Sequence, residues 1–308
     1  MTSPLSSIAT RSAEPRTVEI VVPGSTSNLG AGFDALGLAL SVYLRLNVTI
    51  EGPDDRQGDP HVTFRFGGMT LDGENSIERA LRAAAARYET TLPSITVDVS
   101  SDIPLKAGLG SSAAAIVSGV RLYEAIAGPL PIEDVLTLAS DLEGHPDNTS
   151  ASILGGLVTS CQADGKVLAV ATPWPAAIRV VVATPLVPLE TKVARAALPD
   201  AISREDAIFN VQRTALFVQA IAAGRYDVVR EALRDRLHQP YRAALVPGLE
   251  RALAFEHPKL LGVFLSGAGP SIAALTDGPC PEIDTLFHAL YQELGLACTV
   301  RALDVHQP

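Results

Sequence analysis

The sequence predicts an α+β fold of two domains, and three observations carry that expectation. The chain has 308 residues, roughly twice the length of a domain of about 150. Hydrophobic residues make up 47% and charged residues 19%, which supplies a sizeable core and argues against disorder. The order of elements reads β…αα…ββ…αβ, which places helices on one face of an antiparallel sheet. A shift from helices to strands puts the boundary near residue 170. The expected division is a loose Ser/Thr/Pro-rich tail over 1–16, an N-terminal domain over 17–170 and a C-terminal domain over 171–308.

Taken in order, Val18, Ile20 and Val22 form a strand that should stop at Pro23-Gly24. A polar, Gly-rich loop follows to Gly37, then a strand over 40–51, a turn or exposed loop over 52–60 and a short strand over 62–66. Residues 75–88 carry a helical stripe of Ile77, Leu81, Ala84 and Ala85, while Ile95, Val97 and Val99 alternate as a half-buried strand. The helix over 111–127 meets a stop signal at Gly128-Pro129, and helices follow over 132–142 and 148–154. Strands are expected over 157–161, 166–171 and 177–184, with Trp174 between two prolines at a corner. Helices then fall over 190–197, 204–223, 225–237 and 247–256. Strands 260–266 and 271–276, a helix 281–294 and a strand 297–304 close the chain.

The net charge of −10 argues against general nucleic-acid binding, which needs a basic face. Three widely spaced cysteines, Cys161, Cys280 and Cys298, make neither a disulfide framework nor a zinc pattern and fit a reducing cytoplasm. The longest apolar run, 180–189, holds two prolines and is too short to span a membrane.

Four stretches carry chemistry. Residues 104–115 read PLKAGLGSSAAA. Glycines let the backbone approach a ligand, and the helix that follows aims free N–H groups and its positive dipole end at the loop. That is a phosphate cradle; an ordinary turn with an N-cap serine has the same composition. The spacing is neither the GxxxxGK[ST] of a P-loop nor a dinucleotide fingerprint. Residues 23–37 set Ser25, Thr26, Ser27, Asn28 and Asp34 among small residues, which suits a substrate contour or a loop of Asx turns. EGHPDN over 143–148 crowds Glu, His, Asp and Asn; Glu143 suits Mg²⁺, and Asp147-Asn148 also suits a helix cap. SGAGPS over 266–271 offers backbone contacts to a ligand or a tight hairpin.

In this order, over about 18–304, the four stretches resemble the GHMP small-molecule kinases, the family of galactose, homoserine, mevalonate and phosphomevalonate kinases. PLKAGLGSSAA is similar to that family's PxxxGLGSSAA motif and SGAGPS to its third motif. PGSTSNLGAGFDALGLAL and EGHPDNTSASILGGL resemble the branch whose acceptor is the hydroxyl of L-homoserine.

The resemblance implies an N-terminal domain like domain 2 of ribosomal protein S5, which binds ATP, and a ferredoxin-like C-terminal domain. It places Pro104, Lys106, Ala107, Gly108, Leu109, Gly110, Ser111 and Ser112 along ATP, with Mg²⁺ on Ser112 and Glu143. Asn28, Asp34, His145, Asp147, Asn148, Thr191, Arg195, Arg242 and Gly267 would surround L-homoserine. Asp34 would meet its ammonium, and Arg195 and Arg242 its carboxylate; read without the resemblance, the arginines could equally be surface charges. Where mevalonate-type members carry an aspartate base, this chain has Asn148, which cannot take a proton. The expected mechanism therefore lacks a strong side-chain base, with Asn28 and Asn148 orienting the hydroxyl; His145 or Asp147 as base is the rival. Ala107 and Ser150-Ala151-Ser152 depart from the common pattern. The resemblance also implies a homodimer. Another small alcohol as acceptor, or a relative that binds ligand without catalysis, are the competing readings.

Overall fold

The computed structural model describes residues 15–51, 61–67 and 74–308. Residues 1–14 of the expected tail and the expected loop 52–60 lie outside them, and Arg16 already opens a strand.

That strand, β1 (Arg16–Ser27), pairs antiparallel with β2 (Leu36–Ile50). It does not stop at Pro23-Gly24. The register shifts there and pairing resumes as far as Ser27 opposite Gly37, because proline and glycine are accommodated by a bulge rather than forcing an end. The polar loop is thereby cut to residues 28–35. β3 (Val62–Arg65) leads to α1 (Ser76–Arg87), whose start is set by Asn75 Oδ1 accepting from the Ile77 and Glu78 N–H groups at 3.1 and 3.3 Å. Next come β4 (Ile95–Ser101), α2 (Ser111–Ala127), α3 (Ile132–Glu143) and α4 (Pro146–Leu154). Pro146 at the first helical position starts α4 two residues ahead of the expected Asn148. β5 (Leu157–Ala163) and β6 (Lys166–Thr172) complete a sheet of order β3-β4-β2-β5-β6, with β1 also on β2.

The second sheet begins with β7 (Ile178–Pro185). It is followed by α5 (Thr191–Ala196), α6 (Arg204–Ala223), α7 (Val229–Ala232), α8 (Gln239–Arg242) and α9 (Leu249–Leu253). β8 (Leu260–Leu265), β9 (Ile272–Asp277), α10 (Pro281–Glu293) and β10 (Cys298–Leu303) end it, in the antiparallel order β10-β7-β9-β8. Helices do not cover one face only. Val180 and Val182 of β7 join the core that holds Phe217 and Val229, whereas Val181 and Ala183 join the core that holds Leu249 and Phe287. A sheet buried on both faces explains the unbroken apolar run VVVA.

The single helix expected over 225–237 is absent. After α7 the Asp235 carboxylate takes the N–H groups of Leu237, His238 and Gln239 at 2.9, 3.0 and 2.7 Å, offering the backbone an alternative to helical bonds. Downstream of β10 the chain crosses back to the first sheet. Ser41 N–H donates to Asp304 O at 2.8 Å, His306 N–H to Ala39 O at 3.1 Å and Gly156 N–H to His306 O at 2.7 Å. Among the described residues, no helix is long and apolar enough to cross a membrane.

Candidate active site

The glycine loop leaves β4 and turns into α2 through left-handed backbone at Lys106, Gly108 and Gly110, with φ of 52°, 75° and 70°. At Gly108 a Cβ would lie 2.4 Å from the Ser266 carbonyl oxygen and 2.9 Å from that of Gly269, so no larger residue fits. The loop is held from both sides. Ser25 N–H donates to Leu109 O at 3.1 Å, and the Ser266 hydroxyl donates to Gly108 O at 2.6 Å and meets Thr26 Oγ1 at 2.7 Å. Stretches 23–37 and 266–271 thus clamp the glycine loop between them. Gly110 caps α2 with no side-chain acceptor, so the first N–H groups of that helix are free for an anion.

Beside this helix end, Ser112 Oγ donates to Glu143 Oε2 at 2.7 Å. Burial raises the Glu143 carboxyl above the usual glutamate value, against the opposing pull of the Ser112 hydrogen bond and the His145 charge. Gly144 then reverses the chain with φ of 94° and delivers His145 to the start of α4. His145 Nδ1 lies 2.5 Å from Asp147 Oδ1, which also accepts the Asn148 N–H at 2.7 Å. Burial disfavours charge on both groups. The hydrogen bond and attraction between them prevail, lowering Asp147 and raising His145. Asn148 Oδ1 accepts from Ser25 Oγ at 3.0 Å, and its Nδ2 donates to Ser27 Oγ at 2.8 Å.

Loop 28–35 forms the far wall. Asn28 Nδ2 donates to Gly267 O at 2.9 Å and its Oδ1 accepts the Asp34 N–H at 3.0 Å, so the side chain ties this loop to the SGAGPS turn. Asp34 and Arg195 form a two-point ion pair, Nη2 to Oδ1 at 2.7 Å and Nη1 to Oδ2 at 3.0 Å. The Phe33 ring lies 5.6 Å from the Arg195 Cζ and 5.3 Å from the Arg242 Cζ. Arg242 is buried, and desolvation and the charge of Arg195 bring it down to about 10.

These groups surround one cleft. Of the residues expected in the site, Asn28, Asp34, Lys106, Ala107, Gly108, Gly110, Ser111, Ser112, Glu143, His145, Asn148, Thr191, Arg195, Arg242 and Gly267 line it. Three do not. Pro104 stands outside, the fully buried Leu109 belongs to the core, and Asp147 lies behind His145, 1% exposed. A second, more apolar cleft lined by Leu44, Phe66, Ile77, Val99 and Leu105 shares Lys106, Ser111 and Ser112 with the first.

The pattern of the GHMP kinase N-terminal domain matches residues 75–156 and that of the C-terminal domain residues 217–279. A homoserine kinase of Solibacter usitatus is 42% identical, covering 93% of this chain and 94% of its own. That of Moorella thermoacetica is 36% identical, with 92% and 95% covered. The chain belongs to the GHMP kinase family. A homoserine kinase of Cytophaga hutchinsonii has the same fold, with a TM-score of 0.83 at 23% identity, covering 99% of this chain and 98% of that one.

As a GHMP kinase the chain is a phosphotransferase that uses ATP on a small-molecule alcohol. Its departures from the family pattern differ in consequence. Ala107 lines the cleft, whereas Ser150, Ala151 and Ser152 are buried within α4, Ser152 Oγ donating to Ser25 Oγ at 3.4 Å. Two residues escaped the sequence reading. Phe33 is the one aromatic residue among small ones in GAGFDALG, and His238 precedes Arg242 by one helical turn in HQPYR. Those two placements were the available signals.

Proposed function

We propose that this chain transfers the terminal phosphoryl group of ATP to the side-chain hydroxyl of L-homoserine, giving O-phospho-L-homoserine and ADP. The observation that carries this reading is the Asp34–Arg195 pair beside Arg242 and the glycine loop. An α-amino acid presents an ammonium and a carboxylate on one carbon. It can take over both partners of that pair at once, ammonium on Asp34 and carboxylate on Arg195 and Arg242. A neutral sugar has neither charge. The phosphates would rest on the free end of α2, and the base in the adjoining apolar cleft.

Ser112 and Glu143 supply hard oxygen donors 2.7 Å apart, which fits Mg²⁺. They would hold the ion, which when bound neutralises phosphate charge. In the transfer, the bond from hydroxyl oxygen to γ-phosphorus forms as the β,γ-bridge bond breaks, and the hydroxyl proton passes to phosphate oxygen or water. No side chain is well placed to be a strong base. Asn148 is an amide, Asp147 is buried and hydrogen-bonded, and His145 holds its proton more tightly than a free histidine.

The test is ADP release with Mg·ATP and L-homoserine, mevalonate, galactose or L-serine. Turnover with L-homoserine is expected, and turnover with a neutral sugar instead would refute the acceptor assignment. A loss of about 10⁴-fold in kcat for His145→Gln or Asp147→Asn, with an unchanged KM for ATP, would overturn the base-free reading.

A further inference from the structure

We propose that His238 is a positioning residue that orients Arg242 for the substrate carboxylate without cancelling its charge. The inference rests on the reading of Arg242 as a carboxylate contact. His238 is fully buried and its Nε2 lies 2.8 Å from Gly30 O. A carbonyl oxygen only accepts, so Nε2 carries the hydrogen and, in a neutral ring, Nδ1 carries the lone pair. That lone pair meets Arg242 Nη1 at 3.4 Å. The same Nη1 donates to Gly267 O at 3.2 Å and Nε donates to Ala194 O at 3.1 Å. The guanidinium plane is therefore fixed at two of its three nitrogens. These hydrogen bonds use Nε and Nη1, and Arg242 lines the cleft. Phe33 stacks on the imidazole, ring centres 5.2 Å apart, and holds its plane.

The choice of acceptor matters. A carboxylate in the place of Nδ1 would orient Arg242 more strongly, but it would also neutralise it and compete with the carboxylate of the substrate. A neutral imidazole supplies direction and leaves the charge available. The nearby carboxylate, Asp235, is 3.6 Å from Nε2, the other ring nitrogen. Its oxygens are engaged by Asn210 Nδ2 at 2.7 Å and by the N–H groups of Leu237, His238 and Gln239. Asp235 fixes the turn that carries His238, and His238 fixes Arg242.

Two substitutions separate the functions of the ring nitrogens. In His238→Gln the amide nitrogen can keep the bond to Gly30, but the acceptor facing Arg242 is lost. In His238→Asn the amide oxygen falls near the place of Nδ1, and the Gly30 bond is lost. His238→Gln should raise the KM for L-homoserine about tenfold, the worth of one hydrogen bond to a charged group, with little change in kcat or in the KM for ATP. His238→Asn should restore most of that KM while lowering Tm. Equal effects of both variants on KM, kcat and Tm would mean a merely structural histidine and overturn the proposal. Arg242→Lys distinguishes the two ways of failing. If it leaves the KM for L-homoserine unchanged, the carboxylate reading has failed and this inference with it; if it raises KM and His238→Gln does not, the positioning role alone has failed. In the unmodified protein, ¹⁵N spectra of the histidines should show His238 neutral with hydrogen on Nε2, free and with L-homoserine bound. A ring protonated on Nδ1 would overturn the proposal without any variant.

Discussion

Asp34→Asn should invert the response of the enzyme to two acceptors, L-homoserine and 4-hydroxybutanoate, which lacks only the ammonium. In the free protein Asp34 and Arg195 hold each other at 2.7 and 3.0 Å, with side chains 33% and 37% exposed. At that exposure solvent screens the pair to about 1 kcal/mol. L-Homoserine replaces both halves of the pair. 4-Hydroxybutanoate can claim Arg195 only by leaving Asp34 without a cation. The substitution removes a charge-assisted bond to the ammonium, about 2.5 kcal/mol, and returns about 1 kcal/mol because Arg195 need no longer be released. The net loss of about 1.5 kcal/mol should raise the KM for L-homoserine about tenfold. For 4-hydroxybutanoate only the gain applies, and KM should fall about fivefold. The ratio of kcat/KM between the acceptors should therefore move by roughly fiftyfold toward the analogue. ADP release at varied acceptor concentration measures both. An equal rise in the two KM values would refute the reasoning, because Asp34 would then be neither the ammonium partner nor the restraint on Arg195.

Two further outcomes follow from the glycine loop and its neighbours. Glu143 binds a cation only as the carboxylate, and burial raises its pKa. The KM for Mg·ATP should thus climb as pH falls, beginning at a higher pH than an ordinary glutamate would allow; Glu143→Gln should flatten that climb, and a climb that survives the substitution means another group is titrating. Gly108→Ala puts a methyl group 2.4 Å from Ser266 O on left-handed backbone, at a cost of about 2–4 kcal/mol. Thermal melts should show a lower Tm and calorimetry a loss of ATP binding, whereas ATP affinity equal to that of the unchanged protein would show that this loop does not hold the phosphates.

The sequence exposes those parts of the site whose chemistry is written in consecutive residues. Gly108, Gly110 and Ser112 could be read because a phosphate cradle needs its glycines and hydroxyl within a few positions. The Asp34–Arg195 pair could not, since both residues were assigned to substrate and their bond to each other spans the two domains. His238 stayed hidden for a similar reason: its tautomer is set by the carbonyl of Gly30, far away in the chain. Local cues also misled where tertiary pairing outweighed them. Pro23-Gly24 looks like the end of a strand, yet β2 supplies partners on the far side of the bulge. Residues 225–237 have helical composition, yet α7 stops at Ala232 and the carboxylate of Asp235 takes the N–H of Leu237, with those of His238 and Gln239 just beyond, into a turn. In β7 the uninterrupted VVVA marks burial on both faces more clearly than it marks which helices bury it.

The crossing of residues 304–306 to Ala39, Ser41 and Gly156 has a bearing on the order in which the molecule can be assembled. Gly156 lies two residues beyond α4, the helix that His145 caps and that carries Asn148. Contacts of such long sequence separation form late, because the whole intervening chain must be closed into a loop first. A ribosome-bound chain stalled before residue 304 can build most of the first sheet, but it leaves the N–H groups of Ser41 and Gly156 and the carbonyl of Ala39 without these partners. The last hydrogen bonds of the first sheet are in this way closed only by chain that follows the final strand of the second.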